Sequence, residues 1–267
     1  MAQQLLIYEN AVPISKKRHA SFSIKGGNDY YFAKSANSVP LTTVEFSLAA
    51  AHFPIIFAGS ETDIMPVAVM GLRENENLFI NEDGSWAVSY IPTFIRRYPF
   101  VFSSGDGGKT LTLCIDESYK GCNQDGKGER LFDSAGEQTQ YLTAVLNFLK
   151  AYQTQFQITQ AFAKKLKDLD LLEQMGAQYR TRDGQIRSLT GFMAVNRDRL
   201  KALPDETLLS MLKSDEMEII HLHLQSLNNF SKMTGLLPED KAKDQAEPAE
   251  EKAESTSSKK AAKTAKN

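Results

Sequence analysis

Cysteine is nearly missing from this chain: Cys114 and Cys122 are the only two in 267 residues. Seven residues lie between them, which fits neither a zinc pair nor a redox motif. The expectation is one buried thiol and one loop thiol, with no disulfide and no metal. A body of this length has no need of either, since it can bury roughly 70% of its unfolded surface in a single core.

Long apolar runs are missing too. No stretch approaches the roughly 20 apolar residues of a membrane span. The opening Met-Ala-Gln-Gln-Leu-Leu-Ile-Tyr has no basic region, and its apolar run from Leu5 to Tyr8 is too short for a signal peptide. A cytoplasmic location is expected; a non-classical export route would leave no mark in the sequence. Excess charge is absent as well. Thirty-one Lys and Arg stand against 33 Asp and Glu, a net charge of -2, so no nucleic-acid or anionic-membrane partner is expected.

Familiar catalytic and metal patterns are also lacking. There is no Gly-x-Ser-x-Gly elbow and no His-Glu-x-x-His. Gly108-Lys109-Thr110 imitates the end of a phosphate loop, but Ser103 stands where its first glycine belongs, and a strand, not a helix, is expected to follow. Asn123, Asp125 and Gly126 imitate a calcium loop, yet Phe132 occupies the place of the bidentate glutamate. His221 and His223 are read on a helix, where residues two apart diverge by about 200° and cannot share a metal. No cofactor is called.

What is present reads as an α+β body, residues 1–237, with a β-rich first half and a mostly helical second half. Thr42-Thr-Val-Glu45 is a capping box ahead of a short helix. Phe53–Ala58 and Met65–Leu72 are continuous apolar runs, read as buried strands, with Pro66 at a strand start. Trp86–Ile91 reads as a third strand. Phe100–Ser103 and Thr110–Ile115 read as a hairpin around Gly105-Asp-Gly-Gly108. Ser134 and Glu137 suggest a cap before a helix through Leu142, Val145, Leu146, Leu149 and Tyr152, with a separate helix from about Gln155 to Lys167. Gln174 to Val195 reads as a hairpin around Asp183-Gly184. Short helices follow Asn196 and Pro204, and a last one follows Ser214, with Met217, Ile220, Leu224 and Leu227 inward.

The most unusual stretch is Tyr90-Ile-Pro-Thr-Phe-Ile-Arg-Arg-Tyr-Pro-Phe100. Two adjacent arginines sit among aromatics between Pro92 and Pro99. Aromatics would bury the arginine stems, and a buried guanidinium needs a carboxylate or another anion. Two readings stay open. One is a buried ion-pair network joining Arg96 and Arg97 to Asp116 and Glu117. The other is a pocket in which one arginine holds a ligand carboxylate or phosphate bidentately, lined by Trp86, Tyr90 and Tyr98. The partner is then a small anionic ligand, or another protein.

Several segments in combination resemble the bacterial SapC family. They are Pro54-Ile-Ile-Phe57, Met70-Gly-Leu72, Glu76-Asn-Leu-Phe79, Gly84-Ser-Trp86, Tyr90–Phe100, Cys114-Ile-Asp-Glu117 and Leu131-Phe-Asp133, with Leu189-Thr-Gly191 and His223-Leu-Gln-Ser-Leu227 further on. The resemblance covers roughly residues 5 to 235. It implies a role linked to paracrystalline surface layers and serum resistance, and brings no catalytic residue set. It also implies a gene neighbourhood of halogenase-like and sugar-uptake proteins, which keeps an enzyme-linked role open. A non-catalytic accessory protein is the leading expectation. An enzyme, or the partner of one, acting on an anionic small molecule or modified peptide is the alternative.

From Pro238 to Asn267 the chain loses its aromatics and nearly all its aliphatic bulk to Lys, Glu, Ala, Ser and Asp. Such a segment cannot bury enough apolar surface to offset its ordering entropy, so it reads as a disordered charged tail. Deleting residues 238–267 should leave the melting temperature of the body unchanged within about three degrees. A larger drop at matched protein concentration would show that the tail packs on the body.

Overall fold

A computed structural model describes residues 6–60, 63–104, 110–180 and 184–237. The tail and the glycine loop at 105–109 lie outside the described residues. The body is a compact unit ending at Leu237.

In chain order the elements begin with β1 (Ala11–Pro13), α1 (Lys16–His19), β2 (Ser23–Ile24), β3 (Ser38–Pro40), α2 (Phe46–Ala49), β4 (Ile55–Ser60) and β5 (Asp63–Val69). Next come α3 (Thr93–Arg96), β6 (Phe100–Ser103), β7 (Thr112–Asp116), β8 (Cys122–Asn123) and β9 (Glu129–Arg130). The second half holds α4 (Gln140–Asp168), β10 (Leu172–Arg180), β11 (Ile186–Val195), α5 (Arg197–Lys201), α6 (Asp205–Lys213), α7 (Glu216–Ser226) and α8 (Asn229–Leu236). Three antiparallel sheets result: a five-stranded sheet in the order β10-β11-β4-β5-β3, and two three-stranded sheets, β1-β7-β6 and β8-β2-β9. This is the α+β architecture expected from the sequence.

The apolar runs form the central strands. Ile55, Ile56 and Phe57 of β4 lie opposite Ala68, Val67 and Pro66 of β5, and all six are buried. Pro66 is inside β5, not at its start. Its carbonyl accepts from Leu41 N–H on the β3 side, so its missing N–H faces the same way, just beyond the last β3 pair, Pro40 with Val67. The proline removes the reciprocal donor of that Leu41–Pro66 contact, and the β3 pairing ends there.

Other segments differ from the sequence reading, and the helix after Ser214 is not the last, since α8 follows it. Trp86–Ile91 is not a strand; Trp86 makes an isolated bridge to Ile80, and the chain then turns toward α3. The helix after Ser134 begins later. Asp133 Oδ1 accepts from the Ala135 and Glu137 N–H groups in a turn, and Thr139 caps α4 by accepting from Leu142 N–H. The two helices read on either side of Gln153 are one, because no proline or glycine interrupts residues 140–168.

That continuity organises the core. At 29 residues α4 is about 43 Å long. One stripe along it is buried: Leu142 and Leu149, then Tyr152, Phe156 and Thr159, then Phe162, Ala163 and Leu166. The first pair packs with Ile24, Phe100, Ile115 and Leu131. Tyr152 and Phe156 join the main core with Phe46, Phe53, Met65 and Phe94. The last three pack with Phe57, Val195, Met211 and Ile220.

The hairpin β10–β11 pairs from Leu172 with Val195 to Arg180 with Ile186, as the sequence suggested. Cys114 is buried and both cysteines are free. His221 is exposed, whereas His223 is fully buried on the opposite side of α7. His223 Nδ1 donates to Ile55 O at 2.8 Å, and its Nε2 accepts from Val195 N–H at 3.1 Å. Both ring nitrogens are committed, so the ring joins α7 to β4 and β11 in its neutral form.

Burial pushes the His223 pKa down from 6.5 to about 4. The unfolded chain takes up this proton first. The stability contributed by the neutral ring is therefore fully present above pH 6.5 and is lost as pH falls from there through about 4. The full effect is roughly 3 kcal/mol. Urea melts across this range should show a steeper loss for the native protein than for His223→Gln. Parallel pH profiles in the two proteins would remove His223 as the cause.

Candidate functional site

The aromatic–arginine run is anchored by Glu45, whose carboxylate is almost completely buried. Its Oε2 accepts from the Thr42 N–H and hydroxyl at 3.0 and 2.7 Å, the capping box read in the sequence. Its Oε1 accepts from the Tyr90 hydroxyl and from Thr93 N–H, both at 2.7 Å. Four donors satisfy this carboxylate and fix the start of α3. Trp86 Nε1 donates to Tyr90 O at 2.8 Å. Burial first, then the Glu45 carboxylate, hold the Tyr90 phenol well above its ordinary pKa.

The two arginines are not equivalent. Arg96 is exposed; its Nε donates to Ile91 O at 3.0 Å and its Nη2 to Thr93 Oγ1 at 2.8 Å. Arg97 is 3% exposed. Its guanidinium lies over the rings of Phe94, Tyr152 and Tyr8, at 4.2, 5.1 and 5.6 Å from their centroids. These desolvated cation–π contacts are each of order 1–2 kcal/mol. Tyr8 donates to Phe100 O at 2.7 Å. Burial pushes its phenol up to about 12, against the opposing pull of Arg97.

The two acids diverge in the same way. Asp116 is fully buried and accepts three backbone N–H groups, from Glu9, Asn10 and Ser118, at 2.7, 3.1 and 3.0 Å. It ties the N-terminal segment to the end of β7. Glu117 turns toward α1, where Arg18 grips it bidentately at 2.6 and 2.5 Å and His19 Nε2 donates at 3.1 Å. The Arg18 hydrogen bonds hold the Glu117 carboxyl below the usual carboxylate range. The His19 tautomer follows, since its Nδ1 accepts from Ser15 N–H.

An open cavity of about 570 Å³ lies beside this framework, and of the seven sequence candidates Tyr98 alone lines it. Tyr98 stacks on Phe32 at 4.0 Å and 20°, and Tyr119 meets Tyr98 edge-on at 5.4 Å and 88°. The rest of the lining comes from segments that look like ordinary surface in the sequence: Lys25-Gly-Gly27, Asp29, Tyr31, Lys34, Ser35 and Ser118–Gly121, with Glu9 and Asn75. The pairing of β2 with β8 brings the first and last of these together. Lys25 N–H donates to Gly121 O at 2.9 Å, and the Tyr119 hydroxyl donates to Lys25 O at 3.2 Å. A Cβ at Gly121 would lie 2.3 Å from Lys25 O, so only glycine permits this approach.

Three ammonium groups and two carboxylates share the cavity. Lys34 Nζ donates to Ile80 O at 2.8 Å. Lys120 Nζ lies 3.4 Å from Asp29 Oδ2 in an exposed pair. The Lys25 ammonium has no partner among the described residues. Burial holds the Tyr98 and Tyr119 phenols above their ordinary pKa, so at neutral pH both carry their protons. Among the described residues no group of three or more His, Cys, Asp or Glu is placed to hold a metal ion, and no helix is long and apolar enough to cross a membrane. The side chain of Asn123, from the calcium-like loop, instead pins that loop by donating to Ser23, Gly121 and Lys127 carbonyls.

Truncating the two arginines should separate their roles. Arg97→Ala should cost roughly 3–5 kcal/mol in a urea melt, because it empties a buried site between three rings and removes a charge from a desolvated polar cluster. Arg96→Ala should cost under about 1 kcal/mol. Equal, mild losses would mean that Arg97 does not support the fold.

No curated protein and no solved structure matches this chain. A family model does: SapC, over residues 14–233. That span holds every strand from β2 onward, α1 through α7, and the whole cavity lining except Glu9. The chain belongs to the SapC family.

Proposed function

We propose that this SapC-family chain is a non-catalytic accessory protein in surface-layer biology, and that it acts by holding a small anionic molecule. The observation that carries the reading is the open cavity, whose size falls in the range of small-molecule sites and whose walls combine tyrosine rings with an excess of lysine. The charge sits on Lys25 and Lys120, at the mouth of the cavity. Arg97, one of the two arginines that the sequence offered for an anion, lies buried under three rings. Its place in the proposal is to brace the segment that presents Tyr98.

Binding is favoured over catalysis by the groups that line the cavity. Tyr98 and Tyr119 hold their protons, which suits hydrogen-bond donation and not proton abstraction. Neither cysteine lines it, and burial pushes the Cys122 thiol up to about 11, away from nucleophilic character. The basic, aromatic lining also suits the second reading, an enzyme or enzyme partner acting on an anionic small molecule or modified peptide.

Native mass spectrometry of protein purified from its own cells should show a small acidic species that is released intact on denaturation. Release of a chemically altered species after incubation with the free compound would establish turnover and overturn the non-catalytic role. Deletion of the gene should impair surface-layer assembly, and Lys25→Gln should fail to restore it. An unchanged surface layer in the deletion strain would overturn the surface-layer role.

A further inference from the structure

The walls of the cavity specify more than charge. Tyr98 and Tyr119 meet at 88° and form a corner, with Phe32 stacked behind Tyr98. In such a corner one ring presents a face and the other an edge, the two arrangements that aromatic quadrupoles prefer. A planar ring placed there stacks on one wall and meets the other edge-on. An alkyl group of the same volume fills the corner without that match.

The cations are placed to receive one end of such a ring. Lys25 is held at its backbone from both sides, by its own N–H to Gly121 and by the Tyr119 hydroxyl to its carbonyl. Its ammonium has no partner among the described residues, and its stem starts from a backbone held beside Tyr119. Lys120 follows Tyr119 in sequence, and its loose exposed pair with Asp29 is displaced by an incoming anion at little cost. Next to Lys25, a Cβ at Gly26 or Gly27 would meet nothing within 4 Å, so the backbone there leaves open space along the cavity wall.

Resting on the ligand-binding reading above, we infer that the cavity takes a planar aromatic ring bearing a carboxylate or phosphate, with the ring in the Tyr98–Tyr119 corner and the anion at Lys25 and Lys120. Other classes fit less of the lining. An inorganic anion leaves the tyrosine corner and most of the volume empty. A neutral polyol leaves Lys25 unmatched. A polyanion such as a nucleic-acid strand meets Glu9 and Asp29 on the same rim.

The test is a titration followed by protein NMR, using 2-naphthoate, 2-naphthamide, cyclohexanecarboxylate, inorganic phosphate and maltose. Shifts at the cavity residues should rank 2-naphthoate first. Lys25→Gln should weaken 2-naphthoate about three- to fivefold, the scale of one half-exposed ion pair, and leave 2-naphthamide unchanged. Tyr119→Leu should weaken both naphthyl compounds; the ranking on the native protein stands as evidence even if this variant unfolds. Cyclohexanecarboxylate binding as tightly as 2-naphthoate would overturn the ring assignment. Equal binding of the amide would overturn the anion assignment. Cavity shifts with phosphate alone would overturn the aromatic class while sparing the binding reading, and shifts with maltose alone would overturn both. No cavity shift with any of the five would overturn the class as well. If purified native protein also carried no bound species, the binding reading would fall with it.

Discussion

The buried stripe of α4 is the constraint on which the rest of the body depends. Leu142, Tyr152, Phe156, Phe162 and Leu166 lie on one side of a single uninterrupted helix, and each third of that side closes a different apolar cluster. The sheets cannot be placed independently of it. β6 and β7 pack near its start, β5 and the Glu45 turn near its middle, and the α6–α7 pair with β11 near its end. Thr159 fixes the register, since its Oγ1 accepts from Thr43 N–H at 2.9 Å. That bond places the Glu45 capping turn, which in turn places Tyr90 and α3.

Polar groups inside this framework bind the elements together in a consistent way. Glu45, Asp116 and His223 are each buried and each spans segments distant in sequence. Glu45 accepts from Thr42, Tyr90 and Thr93, Asp116 accepts backbone N–H groups of the N-terminal segment, and His223 bridges a helix to two strands. Each is saturated by partners, which is what makes its burial tolerable. The buried Arg97 adds contacts with three ring faces to this set. The cavity is built outside this set of fixed groups, from exposed lysines and half-buried tyrosines.

Local signals in the sequence carried much of the fold. The Thr42–Glu45 capping box, the β4 and β5 runs, the β10–β11 hairpin and the helices after Asn196 and Pro204 depend on contacts within a few residues. Trp86–Ile91 has the composition of a strand, but Trp86 spends its indole N–H on Tyr90 O and the segment folds on itself. The unequal fates of Arg96 and Arg97 follow from the 100° step of a helical turn. The identity of their surroundings does not: Tyr8 and Tyr152 lie far from α3 in sequence, on either side of it. The cavity was illegible for the same reason. Lys25, Gly26, Lys34 and Lys120 have the composition of solvated loops, and only the pairing of two-residue strands β2 and β8 makes them neighbours.

The continuity of α4 also has a kinetic meaning. Three clusters that share one helical face cannot open separately without stranding part of that face in water. Amide protons in the middle third of the helix, around Tyr152 to Thr159, should therefore exchange with solvent only through whole-body opening, while those of α1 and β8 exchange through local fraying. The body therefore behaves as a keel: what loosens one of its three clusters loosens them all.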